Sequence, residues 1–103
     1  MIDLLDSNRC GRLLKALGEP ERLRIVQCLR QGPLSVGEIA NSLSIEIANA
    51  SHHLRVLREW GFVIAERQGK FVICSLNPET VSFPLDDRST ASINLGCCRI
   101  DFP

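Results

Sequence analysis

Residues 35–62, SVGEIANSLSIEIANASHHLRVLREWGF, read as two helices joined by a tight turn. Ser35 stands at an N-cap position with Glu38 three residues on, the spacing at which hydroxyl and carboxylate satisfy two backbone donors reciprocally. Val36, Ile39, Ala40 and Leu43 fall at i, i+3, i+4 and i+7, so one face of the first helix is apolar; the periodicity breaks at Ser44 and Ile45. The second helix is expected from about Ile47 to Trp60, with Ala50, Leu54 and Leu57 on its inner stripe and Gly61 as its stop. Asn49, Ser51, His52 and Arg55 lie on flanks facing away from that stripe. A helix pair whose second member shows small, polar and cationic side chains near its start has the form of a helix-turn-helix DNA reader. The same pattern also suits the solvated outside of any amphipathic helix pair, so the flanking segments decide.

After Gly61 the pattern turns extended: FVIAERQ, then Gly69-Lys70, then FVICSLN. β-Branched and aromatic residues flank a short glycine-bearing link, which is the signature of a hairpin. Val72, Cys74 and Leu76 share one face by the period of two, and that face is read as the core side. A helix-turn-helix followed at once by a hairpin with Arg67 and Lys70 at its tip is a winged helix: an α+β fold, mainly α, with a two-stranded β-hairpin wing. The two cations are placed to reach the DNA backbone or minor groove beside the site read by the helix; solubilising an exposed turn is the alternative.

Upstream, Leu4 to Leu17 reads as a helix with Cys10, Leu13, Leu14 and Leu17 on one side, ended by Gly18. A second helix opens at Glu19-Pro20-Glu21, where proline needs no amide hydrogen and carboxylates suit the macrodipole, and continues through Ile25, Val26 and Leu29 to the Gln31-Gly32-Pro33 break. Residues 1–77 are thus assigned to a winged-helix DNA-binding domain and 78–103 to a C-terminal tail. In the tail, Pro78, Pro84 and the Asp-Asp-Arg-Ser-Thr cluster prevent a long helix; Ile93, Leu95, Ile100 and Phe102 suit an extended segment lying on the body.

A chain of 103 residues buries a modest core alone, so a homodimer is expected. The formal net charge is zero, and any basic surface must come from segregation. Residues 47–77 carry Arg55, Arg58, Arg67 and Lys70 against Glu59 and Glu66, whereas the tail is acidic on balance. No apolar run has the length of a membrane span and no signal peptide is legible, so a cytoplasmic protein with no membrane partner is expected. Five cysteines, an odd number without a secretory signal, point to reduced thiols that are buried, reactive or metal-binding.

The segments KALGEPERLRIVQCLRQGPLSVGEIANSL, SHHLRVLREWGFVIAERQGK and FVICSL resemble the ArsR/SmtB family of dimeric winged-helix repressors, over about residues 13–77. The resemblance implies a homodimer that binds double-stranded operator DNA and releases it when an inducer, often a metal ion or metalloid, binds. It places Ser51, His52 and Arg55 near DNA and His53 and Leu54 on the supporting side, and it makes the tail, 78–103, a candidate inducer-binding or dimer-contacting segment. The chain departs from the family in carrying Glu46, Ile47 and Ala48 where the recognition helix usually opens with polar residues.

The thiols narrow the inducer. The Cys-Val-Cys cluster of arsenite- and cadmium-responsive relatives is replaced here by Ser35, Val36 and Gly37, and the tail has no histidine for the zinc-type site. Adjacent His52 and His53 point about 100° apart and cannot readily share a metal. Cys28 and Cys74 read as small buried hydrophobes. Cys97-Cys98 is similar to the C-terminal vicinal pair of another branch of arsenite sensors, which use a third cysteine; Cys10 is the candidate for it. The expectation is therefore a repressor with no required cofactor, induced by As(III), Sb(III) or another thiophilic ion at Cys97, Cys98 and Cys10. The alternatives are a thiol-redox switch on the same fold and a winged-helix protein-interaction module. An enzyme is not expected: a dithiol reductase would want Cys-x-x-Cys near a βαβ unit, and neither is present.

Overall fold

A computed structural model describes residues 4–82, 91–96 and 98–102. Helix α1 (Leu4–Leu17) leads into α2 (Pro20–Cys28), which ends in a 3-10 turn over Leu29–Gln31. A two-residue strand β1 (Leu34–Ser35) precedes α3 (Val36–Leu43), α4 (Ile47–Glu59) and the hairpin β2 (Val63–Gln68) and β3 (Phe71–Leu76). The tail supplies β4 (Val81–Ser82), β5 (Ala91–Asn94) and β6 (Arg99–Phe102).

Helix α3 starts as its sequence demands. The Glu38 amide donates to Ser35 Oγ at 3.1 Å and the Ser35 amide donates to Glu38 Oε1 at 3.0 Å, closing the capping box. Those bonds to the charged form hold the Glu38 carboxyl below its ordinary pKa. Ser44 then takes the left-handed conformation (φ 55°, ψ 44°), and the amides of Ser44 and Ile45 close back on Asn41 and Ala40 to launch α4 at its new angle. Leu54 and Leu57 of α4 share one buried cluster with Ile39 and Leu43 of α3, Ile25, Val26 and Leu29 of the second helical segment, and Leu13 and Leu17 of α1, and Ala50 is fully buried beside them in sequence.

The two-stranded hairpin forms as expected, and β1 adds a short third strand to its sheet, pairing antiparallel with β3 (Leu34 opposite Cys74, Ser35 opposite Ile73) to give the order β1-β3-β2. A stretch this short carries no period from which pairing can be read. In β3, Cys74 is buried as expected, but Val72 on the same face is 37% exposed, since the hairpin has by then projected beyond the body. The turn itself is Gly69-Lys70, with Gly69 at φ 62°. In α1 the buried set is Leu13, Ala16 and Leu17, while Leu14 is 42% exposed: the helix axis is rotated so that the smaller Ala16 packs inward. Cys28 is half-buried rather than buried.

The tail folds as a second antiparallel sheet, β4-β5-β6, with Val81 opposite Ile93 and Ile93 opposite Ile100. Val81, Ile93 and Leu95 are buried within the same apolar cluster as the helices. The tail is tied down where α4 ends: Asn77 Nδ2 and Thr80 Oγ1 both donate to the Gly61 carbonyl, at 2.8 and 2.9 Å.

Candidate nucleic-acid interface and thiol cluster

On α4, Ala50, Leu54 and Leu57 turn inward, leaving Asn49, His52 and Arg55 exposed and Ser51 half-buried. The helix therefore presents the expected polar face, with its N-terminal turn projecting from the body. Ile47 in that turn is 61% exposed. Ser51, Leu54, Arg55 and Arg58 fall at i, i+3, i+4 and i+7, and with Val63, Ala65 and Val72 of the wing they line a groove of about 240 Å³ between reader and wing. Arg55 and Arg58 have no carboxylate partner among the described residues, so two guanidinium charges stand uncompensated at this groove. Arg58 extends the polar face beyond the expected Asn49, Ser51, His52 and Arg55, a role that its i+7 spacing from Ser51 signals.

At the wing tip, Arg67 and Lys70 are exposed. Arg67 Nε donates to the Gly69 carbonyl at 3.4 Å, and Lys70 Nζ stands 5.4 Å from the centre of the Phe71 ring. Both charges are thus held beside the turn instead of trailing freely.

His52 and His53 divide as expected. His52 is exposed, whereas His53 is turned inward, its Nε2 2.7 Å from Glu21 Oε2 and its Nδ1 3.3 Å from Arg22 Nη1. A guanidinium only donates, so Nδ1 is the acceptor for Arg22 and Nε2 is the donor to Glu21. His53 is a structural tie between α4 and α2.

Of the cysteines, Cys10 Sγ on α1 lies 3.6 Å from Cys98 Sγ, although the two are 88 residues apart. The tail reaches α1 through the turn between β5 and β6, where Gly96 takes φ 88° and the Leu95 amide donates to the Cys98 carbonyl. Cys10 is disulfide-bonded; Cys28, Cys74 and Cys98 are free thiols. Cys97, the remaining residue of the expected site, lies outside the described residues. Among the described residues no three His, Cys, Asp or Glu side chains converge as a metal-binding group. Cys74 sits apart, and burial pushes its thiol up, against an opposing pull from Arg58.

The order of helices, the projecting reader and the adjoining wing define a winged helix-turn-helix DNA-binding protein. Residues 17–64 match the helix-turn-helix domain family. The chain is 40% identical over 86 residues to the HTH-type transcriptional regulator NmtR of Mycobacterium tuberculosis, covering 81% of this chain and 72% of that protein. It is 34% identical to the transcriptional repressor SdpR of Bacillus subtilis, covering 65% and 74%. Its backbone also matches the homodimeric winged helix-turn-helix domain of Mb0332 from Mycobacterium bovis, a possible ArsR-family regulator, with a TM-score of 0.68, 30% identity and coverage of 77% and 75%. The chain belongs to the ArsR/SmtB family of transcriptional regulators. It is a DNA-binding transcriptional repressor of that family and not an enzyme. None of its described helices is long and apolar enough to cross a membrane.

Proposed function

We propose that the protein acts as a homodimer on a two-fold operator and is released by a thiophilic inducer held by the sulfurs of α1 and the β5–β6 turn. On the DNA side, the projecting turn of α4 enters the major groove with Asn49, Ser51 and His52. Arg55 and Arg58 neutralise phosphates along the reader–wing groove, and Arg67 and Lys70 engage the backbone beyond it. Ile47 supplies an apolar contact of the kind that recognises a thymine methyl group, which gives a role to an isoleucine that is 61% exposed.

On the inducer side, the reading is carried by the 3.6 Å approach of Cys10 Sγ to Cys98 Sγ. Two thiolates each about 2.3 Å from one ion at a tetrahedral angle stand about 3.8 Å apart, so the spacing fits joint ligation of a soft ion once the sulfurs are reduced. The sequence neighbour Cys97 supplies the third thiolate in this reading. No resident cofactor is required. Cys10 and Cys98 would hold the ion; the chain's own part is to bring an N-terminal helix and a C-terminal turn to one point.

A second reading, a thiol-redox switch, is favoured by a separate observation: Cys10 is disulfide-bonded while the Cys98 thiol stands next to it. A thiol beside a disulfide is placed for exchange. One experiment separates the two. Reduced protein is bound to its operator and titrated with arsenite, and in parallel with the thiol oxidant diamide. Release of wild type by arsenite, with the Cys97→Ser, Cys98→Ser double mutant bound but unresponsive, supports ligation. Release by diamide alone, reversed by dithiothreitol, supports the switch. Equal release of the double mutant by either reagent overturns the assignment.

A further inference from the structure

The thiol cluster lies on α1 and the tail, whereas DNA is read by α4, so an inducer can act only if something joins α1 to α4. The hydrogen bonds of one side chain do so. Arg22, in the first turn of α2, donates through Nε to the carbonyl of Ala16 near the end of α1, and its Nη1 lies 3.3 Å from His53 Nδ1 on the recognition helix. His53 is 12% exposed and is clamped from its other side by Glu21. Beside this bridge is a gap of about 210 Å³ lined by Arg12, Lys15, Ala16, Arg22, Val56 and Trp60. At this level a polar strut therefore joins α1 to α4 beside their apolar contact, with a solvent-open groove next to it.

We propose that Arg22 is a positioning residue that couples α1 to the recognition helix. A shift of α1 displaces the Ala16 carbonyl, draws the guanidinium with it, and reorients His53 and so α4. The planar fork matters: Nε and Nη1 are fixed relative to each other, so the guanidinium cannot follow one acceptor without moving away from the other. The proposal rests on the reading of the thiol cluster as the inducer site, and it makes the strut the route by which that site reaches DNA.

The test is operator affinity by fluorescence anisotropy, with and without arsenite, for reduced wild type, Arg22→Met and Arg22→Lys. Arsenite should raise the wild-type Kd by about tenfold, within the usual range of such couplings. In Arg22→Met the rise should fall to within about twofold, the level at which independent sites add, while native mass spectrometry shows arsenite bound with unchanged stoichiometry. Arg22→Lys keeps the charge but not the fork and should also lose most of the response. If Arg22→Met weakens DNA binding yet keeps the wild-type ratio of Kd values, Arg22 merely supports the fold and the proposal is overturned. An inducer-independent arm covers the case in which neither arsenite nor oxidation acts on wild type, which would be a failure of the inducer assignment. Cys10→Trp, which wedges α1 away from the β5–β6 turn, should change operator affinity in the wild-type background and leave it unchanged in Arg22→Met. Equal changes in both backgrounds would show that Arg22 carries no coupling.

Discussion

Ile93 is a decisive place to perturb the tail, because it is fully buried at the centre of β5 and belongs to the cluster that holds the helices together. Ile93→Ala removes about three carbons, worth about 0.8 kcal/mol each in transfer, or about 2.4 kcal/mol. Incomplete collapse of the resulting cavity adds to this, giving about 3 kcal/mol. For a domain of this size that lowers the unfolding midpoint by roughly 12–24 °C. The assay is urea denaturation of wild type and variant under reducing conditions, with Arg99→Ala as a control. Arg99 pairs with Asp101 at 3.1 Å, but both side chains are largely exposed, and such a pair is worth no more than about 1 kcal/mol. A loss below about 1 kcal/mol for Ile93→Ala with an unchanged urea slope would mean that the tail sheet is not part of the cooperative core, and the approach of Cys98 to Cys10 would lose its foundation.

Three further outcomes are expected. Ser35→Ala removes the hydroxyl half of the capping box and should cost about 1 kcal/mol; Glu38 has a depressed pKa, so its contribution is present above its unfolded-state pKa and is lost as pH falls through the folded value, and Glu38→Gln should flatten that acid limb in thermal melts. Ser44→Gly relieves a left-handed serine and should stabilise by up to about 1 kcal/mol, read by denaturant midpoint, with a destabilisation showing that the hydroxyl matters more than the strain. Arg55→Ala and Arg58→Ala should each reduce the salt slope of operator binding by about one, whereas Ile47→Ala should leave that slope alone and lower discrimination at a single T·A pair in a competition assay.

The reader and the wing were legible because their signals are local. The box of Ser35 and Glu38, the apolar spacing through Leu43 and from Ala50 to Leu57, and the strand–Gly69–strand pattern each lie within one element. What was not legible depends on contacts between distant segments. Leu14 and Ala16 lie on opposite flanks of the Leu13–Leu17 stripe of α1, and side-chain size favours the wrong flank; the angle at which α1 meets α4 decides. The prolines of the tail ruled out a long helix, but nothing in ASIN or RIDF alone says that Ile93 would be more deeply buried than Leu76. The meeting of Cys10 with Cys98 was anticipated only through the chemistry of a trigonal thiolate site and a family likeness. Arg22 carried no signal at all, since a cation in a helix's first turn reads as ordinary surface; its meaning comes from the acceptors that two other helices bring to it.

Ser35 has two neighbours that constrain it at once: its backbone pairs with Ile73 of the wing and its side chain caps the helix that sets the reader. Hairpin and reader therefore share an anchor and travel together, like the jaws of a caliper locked at one opening. A subunit built this way keeps a constant footprint on each half-site. Mutants that alter inducer response should thus shift the preferred number of base pairs between half-sites while the sequence favoured within each half-site stays the same, a distinction that selection from an operator library with variable spacers would expose.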